Sequence, residues 1–482
     1  MGIFQFLRNH FAGRVAALML STFFSAAISI GLLPFTTRML GPADYGSYSL
    51  LMSIVALIGF AMDGGASLLL PSSLGPASSQ ERGQIFVAAS SLATIGSTAF
   101  AVLLVSAGYY FQDQFDDHVI SFMSFALAAA IIPMRSITSI AVIAFSTTGR
   151  GYAIALQMAV QASVVFATTL IALFVLSMEG ISLFIGAACG QLAALTVCLA
   201  TLISYGEFSI KPSLHWHAKA LRSAVTSSLG GFSDGARSFG ENATLGRIDG
   251  LHAVGIVNHA RLYYSLLAMV MSAVGHNVQA RSLADARIPH SKMAATRRAW
   301  VPVHLFIICA SAFFALFARE IVDFISNGKF VDAAPYIPIL CLVALMQSAE
   351  QPAAAIVYSI GQAAKAVRFR ILTNVVALIA LVPVVHCFGI AGVVILCWAE
   401  AATNRYYLRF LASRYRDVPF QDSGVYFGFL LIVGTMLWVY EASPSVTARA
   451  WWLGGTVIVT GIFGWRSIAD IVAEGRRVLT QA

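Results

Sequence analysis

The sequence predicts an all-α polytopic membrane protein of about fourteen transmembrane helices, and three observations support that prediction. Only 11% of the 482 residues are charged, whereas soluble domains carry roughly a quarter. Apolar runs close to the length that crosses a hydrocarbon core about 30 Å thick recur along the whole chain. The basic residues also alternate between two sets of loops, as they do in multi-pass membrane proteins.

The apolar runs favour helices over a β-barrel. Runs such as 15–34, 85–108 and 152–178 are continuous, whereas barrel strands alternate in polarity over about ten residues. Only helices and closed barrels satisfy their backbone hydrogen bonds in lipid. Helices are therefore predicted near 14–36, 45–62, 84–110, 119–145, 152–177, 181–205, 222–246, 252–278, 299–318, 334–359, 370–387, 389–408, 424–440 and 450–466.

The distribution of Lys and Arg predicts the orientation. With the N-terminus in the cytoplasm, 22 of the 30 basic residues fall in inward loops and tails, five fall in outward loops and three lie inside helices. Inward loops of membrane proteins carry such an excess. Both termini are therefore predicted to be cytoplasmic, and the net charge of +8 is explained by topology, with no nucleic-acid partner.

Two segments of the chain resemble each other. RMLGPADYGSYSLL from Arg38 matches RIDGLHAVGIVNHA from Arg247, an offset of 209 residues. Gly180 repeats as Gly389 at the same offset, and Gly149 as Gly361 at nearly that spacing. Matches in register indicate an internal duplication.

The duplication predicts two six-helix lobes around a central cavity. Halves with an even number of helices keep the same orientation, and transporters built this way hold substrate between the halves. The predicted parts are an N-terminal lobe (1–205), a basic cytoplasmic linker (206–221), a C-terminal lobe (222–411) and two additional helices with a cytoplasmic tail (412–482).

Polar and ionisable residues within predicted spans are functional candidates, because burying them in hydrocarbon is costly. Asp234, Arg237 and Glu241 follow i, i+3, i+7 spacing and share one face of the seventh helix. Other candidates are Asp63 at the end of the second helix, Arg135 in the fourth, Gln157 and Gln161 on one face of the fifth, and Asn258 and Arg261 in the eighth.

Two interpretations of these residues compete. In the first, Asp234, Arg237 and Glu241 neutralise one another and lock their helix against a neighbour. In the second, which we favour because three arginines reach membrane depth, the helices line a wet cavity that receives an anionic head group. The planar guanidinium of Arg binds phosphate in bidentate fashion. The predicted substrate-binding residues are Arg135, Arg237, Arg261, Asn258, Gln157 and Gln161, and the candidates for coupling to H⁺ or Na⁺ are Asp63, Asp234 and Glu241.

Several chemistries lack a matching motif. The chain has no GxxxxGK[ST] loop for ATP, and no GxSxG or HExxH motif. Its six cysteines lie in apolar runs without CxxC spacing, which predicts free, buried thiols. We therefore expect a transporter rather than an enzyme, with no catalytic residues, bound metal or cofactor.

Three segments resemble a known family. TTRMLGPADYGSYSLLMSI (36–54) is similar to the signature that follows the first helix of Wzx-type polysaccharide flippases, in the multidrug/oligosaccharidyl-lipid/polysaccharide exporter superfamily. LHAVGIVNHARLYYSL (251–266) and IVDFISNGKFVDAAPYIPIL (321–340) resemble later motifs of that family. Fourteen helices exceed the twelve usual for O-antigen flippases, and in this number the chain resembles the related lipid II flippases.

The resemblance implies that the chain flips undecaprenyl-pyrophosphate-linked oligosaccharides from the cytoplasmic to the periplasmic leaflet of the bacterial inner membrane, for surface polysaccharide synthesis. Its expected partners are the lipid-linked substrate, membrane lipids, and the polysaccharide polymerase and export machinery. The cavity arginines of the family correspond by location to Arg135, Arg237 and Arg261. The alternatives are a drug or cation exporter of the same superfamily and a membrane-embedded glycan polymerase or ligase.

Overall fold

A computed structural model describes residues 11–62, 66–74, 77–111, 121–148, 150–205, 213–287, 294–415 and 422–462. Within these ranges the secondary structure is helical, and no strand occurs in them. Because every long element is a helix, each span satisfies its backbone hydrogen bonds internally, as lipid requires.

The first half of the chain forms seven helices, and local capping marks the start of two of them. Gly41 donates its N–H to the Asp44 carboxylate at 3.1 Å, and Pro42 occupies the first helical position that follows. Ser121 accepts from the Ser124 N–H at 3.3 Å. The helices are α1 (Phe11–Met39), α2 (Pro42–Ala61), α3 (Ala66–Ser73), α4 (Ser79–Phe111), α5 (Phe122–Thr147), α6 (Gly151–Leu170) and α7 (Ile181–Ser204).

The second half contains six helical elements and a final helical segment at 446–462. The longest element is interrupted at Gly389, where φ is 52° and ψ is −133°. Glycine adopts this backbone conformation most readily, so the element consists of two helices. The elements are α8 (Leu214–Ile248), α9 (Gly250–Arg287), α10 (Ala294–Ser326), α11 (Ile337–Ser359), α12 (Ala363–Ser413) and α13 (Asp422–Ala442).

The predicted all-α class is confirmed. When α12 is counted as two, the described residues contain fourteen long helices, in the predicted order. Four helices extend seven residues or more beyond a predicted boundary. The start of α8 at Leu214 lies eight residues before the predicted start at 222, so the end of the predicted linker is helical. The end of α9 at Arg287, the end of α10 at Ser326 and the start of α12 at Ala363 also extend beyond the predicted 278, 318 and 370. The eight-residue α3 was not predicted, because it is too short to span a membrane and gives no hydropathy signal.

Seven stretches of the described chain are long and apolar enough to cross a membrane on length and composition alone, and this identifies a multi-pass membrane protein. The fifty-residue stretch at the end contains both helices of α12. The seven are Gln80–Tyr110, Phe122–Thr147, Gly151–Val175, Ile181–Ser204, Trp300–Ser326, Val331–Val357 and Ala364–Ser413.

One compact unit comprises Met1–Ile256 together with Asn374–Gly389. In its interior, Ile85 of α4, Phe145 of α5 and Cys198 of α7 are fully buried in one apolar cluster. A second cluster joins α2 to α5 through Val55 and Ile132. Burial of these side chains against neighbouring helices holds the unit together.

The other compact unit comprises Val257–Thr373 together with Ile390–Ala482. Ile356 and Val357 of α11 pack in one cluster with Leu411 of α12. His259 of α9 stacks on Phe330, with ring centroids 4.5 Å apart. The predicted lobe boundaries at 205, 222 and 411 stay a prediction.

All six cysteines are free. Cys198 and Cys341 are buried as predicted, but Cys387 is exposed and the other three are partly exposed. The prediction of six buried thiols was therefore wrong in part. An apolar run marks a helix that belongs in lipid, and one face of such a helix faces outward and is not packed in the protein.

Two glycines related by the repeat lie where α2 crosses α9. A Cβ added to Gly46 would overlap the carbonyl oxygen of Leu251, and one added to Gly255 would overlap the carbonyl oxygen of Pro42. Pro42 and Leu251 are themselves related by the 209-residue offset. The crossing is therefore symmetric, and the absence of side chains lets the two backbones touch.

We expect Gly46→Ala to destabilise the protein, because the obstructing atom is backbone and cannot swing aside. Overpacking of this kind costs about 1–3 kcal/mol, so the melting temperature of the purified protein in detergent should fall. Gly434→Ala is the matched control, because nothing lies within 4 Å of the added Cβ in α13. Equal melting temperatures for the two variants would contradict the close crossing.

Candidate functional site

Arg135 lies near the middle of α5, far from either helix end. Its side chain runs beside Gly59 of α2, where an added Cβ would be 3.7 Å from Arg135 Cδ. The guanidinium interacts electrostatically with the hydroxyl of Tyr48, also on α2. Gly59 thus provides the room that lets a long cationic side chain lie between two helices.

Arg237 and Glu241 form an ion pair on α8. Arg237 Nε donates to Glu241 Oε1 at 2.9 Å, and Nη2 lies 2.9 Å from the same oxygen. The two side chains are only 11% and 7% exposed. The neutralisation proposed in the first interpretation therefore holds for this pair.

Asp234, one turn before Arg237, has a partner from another helix. Asn374 of α12 donates through Nδ2 to Asp234 Oδ1 at 2.8 Å and to Ser233 Oγ at 3.1 Å. Asn374 is 1% exposed, and its Oδ1 is buried and accepts no hydrogen bond from the described residues. The amide nitrogen of Asn374 therefore joins a carboxylate and a hydroxyl, and the oxygen of the same amide is left unsatisfied.

Gln157 and Gln161 belong to a chain of amides that links three helices. Gln157 donates to Gln161 at 2.9 Å, Gln161 donates to Gln191 of α7 at 3.1 Å, and Gln191 donates to the hydroxyl of Thr138 on α5. Hydrogen bonding in series offsets the cost of burying these amides in an apolar interior. The predicted pair is thus part of a larger, buried network.

Arg261 and Asn258 lie on α9, in the unit that begins at Val257, and both are partly exposed. Arg261 Nη2 lies 3.5 Å from Cys397 Sγ. Nearby, Tyr264 donates its hydroxyl proton to Gln347 at 2.7 Å. A polar group is therefore present within this unit, built from α9, α11 and α12.

The candidates that remain are Asp63 and the residues that could hold a metal ion. Asp63 lies outside the described residues. Among the residues that the structure describes, no group of three or more His, Cys, Asp or Glu is placed to hold a metal ion. In the His-Trp-His segment at 215–217, His217 contacts the Ser213 carbonyl through Nδ1 and Ser91 through Nε2. Both of its ring nitrogens are thus engaged.

Sequence reasoning missed the partners from other helices. Asn374, Gln191 and Gln347 each stand in an apolar run, and that isolation is a signal that could have identified them. Each set of polar residues predicted from the sequence shares one face of a single helix. Which helix faces which is not encoded in helical periodicity, so Ser233 was also overlooked.

Solved structures of membrane transporters share this fold. A lipid II flippase, MurJ, in an inward closed conformation matches with a TM-score of 0.67 and 12% identity, over 94% of this chain and 99% of that one. An inward-facing multidrug resistance MATE family transporter matches with a TM-score of 0.61 and 15% identity, over 83% and 98%. A MOP superfamily transporter from Pyrococcus furiosus matches with a TM-score of 0.56 and 15% identity, over 85% and 97%.

The family model for polysaccharide biosynthesis proteins matches residues 12–278, more than half of the chain. The chain therefore belongs to the polysaccharide biosynthesis protein family. No curated protein sequence matches it.

We expect Arg237→Gln to be more destabilising than the double change Arg237→Gln with Glu241→Gln. The single change leaves a buried carboxylate without its cation, which costs about 3–5 kcal/mol, whereas replacing both charges is often nearly neutral. Thermal unfolding of the three purified proteins in the same detergent measures the difference. If the double variant is as unstable as the single one, the ion pair does not control local stability.

Proposed function

We propose that this chain flips undecaprenyl-pyrophosphate-linked oligosaccharide repeat units from the cytoplasmic to the periplasmic leaflet, for surface polysaccharide synthesis. It acts in the bacterial inner membrane, with both termini in the cytoplasm. The polysaccharide polymerase and export machinery receive its product. The family match and the lipid-linked substrate named for the MurJ relative in fold support this substrate class.

The observation that carries the proposal is Arg135 in the middle of an apolar helix. A cation at this depth costs several kcal/mol unless it faces water or an anion. The Arg135 side chain lies beside Gly59 and near the hydroxyl of Tyr48, both on α2. A pyrophosphate offers the planar guanidinium two pairs of acceptor oxygens, which no neutral cargo provides.

The second step of the proposal is alternating access. Symmetric crossing of α2 and α9 at Gly46 and Gly255 gives the two repeats a point of backbone contact with no side chain to interlock. Such a contact separates or pivots without breaking side-chain packing. Arg237, Arg261, Asn258, Gln157 and Gln161 are proposed to contact the head group and sugars as the cavity changes its opening.

We expect Arg135→Gln to reduce export about tenfold or more, because one charge-assisted pair of hydrogen bonds to phosphate is worth that much. Arg135→Lys, which keeps the charge without the fork, should be intermediate. In a strain lacking the native protein, the measurement is the fraction of lipid-linked glycan that a lectin reaches on the periplasmic face.

Arg222→Gln is the control, because this residue of α8 is an exposed cation. Each variant is compared at equal membrane abundance. Retention of full export by Arg135→Gln would remove this residue from the transport path.

We further propose that Asp234 binds the coupling cation, a proton or Na⁺. Hard cations take oxygen ligands, and the Asp234 carboxylate, the Ser233 hydroxyl and the unsatisfied Asn374 Oδ1 offer three. A rotation of the Asn374 amide exchanges its nitrogen and oxygen in that cluster. Asp234 is preferred to Glu241 because the neutral Ser233 and Asn374 side chains beside it supply further oxygens.

Asp234→Asn should keep the hydrogen bond from Asn374, because its side chain retains an acceptor oxygen, but should remove the charge. We expect export by this variant to lose its dependence on an imposed Na⁺ or proton gradient in proteoliposomes. Asp323→Asn, at an exposed carboxylate of α10, is the control. An unchanged gradient dependence in Asp234→Asn would exclude Asp234 as the coupling site.

A second candidate function is drug or cation export, and the fold shared with a multidrug resistance MATE transporter favours it. Cationic drugs would meet like charges at Arg135 and Arg261, and such contacts are repulsive in a low dielectric. Transport of an organic cation by the purified protein, without transport of a lipid pyrophosphate, would decide for this alternative.

A further inference from the structure

A cavity of about 720 Å³ lies within the unit formed by Val257–Thr373 and Ile390–Ala482. Its walls are the end of α10, the 3₁₀ turn Val331–Tyr336, the end of α13 and the start of the segment 446–462. The basic residues around it, Arg319 and Arg449, are among the five that the sequence predicts on the outward side. The volume is within the range of about 300–1,000 Å³ typical of ligand sites.

Arg449, from the segment 446–462, is one of the residues that line this cavity. Its side chain is 12% exposed, its Nη1 lies 2.5 Å from Glu320 Oε1, and the same nitrogen donates to the Leu316 carbonyl at 2.8 Å. The guanidinium also lies 5.3 Å from the centroid of the Phe317 ring. These contacts fix the plane and orientation of the guanidinium.

The Nε–H of Arg449 is buried and donates to no acceptor among the described residues. An unsatisfied donor on a charged group is costly, so the position calls for an acceptor oxygen. Arg binds phosphate or carboxylate by donating hydrogen bonds from a fixed guanidinium, Nε–H included, to acceptor oxygens. Arg449 lines the cavity, and its Nε is covered by neighbouring side chains in this structure, so an oxygen bound in the cavity meets the Nε–H once those side chains move aside.

The other charges lining the cavity are of both signs. Arg319 and Arg449 are cationic, and Glu320 and Asp332 are anionic. Glu320 and Asp332 are exposed, so each has room for a second partner. A purely anionic ligand would be repelled by the acids, whereas a ligand with a phosphate and an ammonium group complements both signs.

The remaining wall is apolar and opens outward. Leu437 and Tyr440 of α13 line the cavity and are 55% and 87% exposed. In a membrane helix, exposed apolar side chains lie against hydrocarbon. A chain attached to a head group in this cavity would therefore continue along α13 into the lipid.

We propose that this cavity binds an aminophospholipid of the outer leaflet, with its phosphate on Arg449 Nε and Arg319 and its ammonium group on Asp332 and Glu320. The bound lipid ties α13 and the segment 446–462, which lie outside the duplicated halves predicted from sequence, to the end of α10. This site shares no residue with the proposed transport path, and its existence does not depend on the identity of the cargo.

The test titrates the purified full-length protein in detergent with the soluble short-chain lipid dihexanoyl phosphatidylethanolamine and follows the melting temperature. A ligand that binds only the folded state raises that temperature with concentration. We expect a saturable rise with this lipid, a smaller one with dihexanoyl phosphatidylglycerol and none with inorganic phosphate. Equal rises for the two lipids would overturn the ammonium contact, and a full rise with inorganic phosphate would overturn the lipid.

Three single substitutions test which residues contact the lipid. Arg449→Lys keeps a cation opposite Glu320 but has no Nε–H, so it should fold and bind the short-chain lipid about tenfold more weakly. Asp332→Asn should weaken phosphatidylethanolamine binding but not phosphatidylglycerol binding. Lys329→Gln, an exposed cation outside the cavity lining, is the control. Unchanged lipid affinity in Arg449→Lys would overturn the proposal.

Discussion

The structure depends on one constraint, the cost of holding charged and polar side chains away from water. Lipid supplies neither hydrogen bonds nor counter-charges, so each such group inside the helices needs a protein partner, water or a ligand. Arg237 has Glu241 at 2.9 Å, Asp234 has Asn374 at 2.8 Å, and Gln157 and Gln161 each donate a hydrogen bond to the next glutamine in series. Two of the proposed ligands contact groups that lack a hydrogen-bond partner among the described residues, Asn374 Oδ1 and Arg449 Nε.

Close helix approach is the second organising feature, and it follows from the first. Without a hydrophobic force between helices in lipid, van der Waals contact between backbones provides much of the association. Glycine permits that contact at Gly46 and Gly255, and Gly235 of α8 lies similarly close to Leu57 of α2. The duplication is thus visible in packing as well as in sequence, because positions 42, 46, 251 and 255 meet in a symmetric crossing.

Sequence was sufficient for the fold class and for the order of the helices, because length, hydropathy and charge alternation are local properties of a membrane chain. The two helices of α12 were also predicted, near 370–387 and 389–408, and the structure places the break at Gly389, where φ is positive. The start of α8 at Leu214 was not, because an amphipathic first turn looks like a polar loop. The site was predicted only in part. Arg237 and Glu241 follow from i, i+4 spacing, but Asn374 beside Asp234 and Gln191 beside Gln161 depend on which helices pack together.

The proposed function rests on an arginine at membrane depth that receives a lipid pyrophosphate, and binding tests this more directly than transport, which also requires conformational change and coupling. The decisive measurement is the affinity of the purified protein for undecaprenyl pyrophosphate and for undecaprenol, with wild-type and Arg135→Gln proteins. We predict that the wild-type protein binds undecaprenyl pyrophosphate tightly and undecaprenol weakly. The Arg135→Gln protein should bind the two lipids with similar affinity. Equal affinity of the wild-type protein for the two lipids would contradict the account.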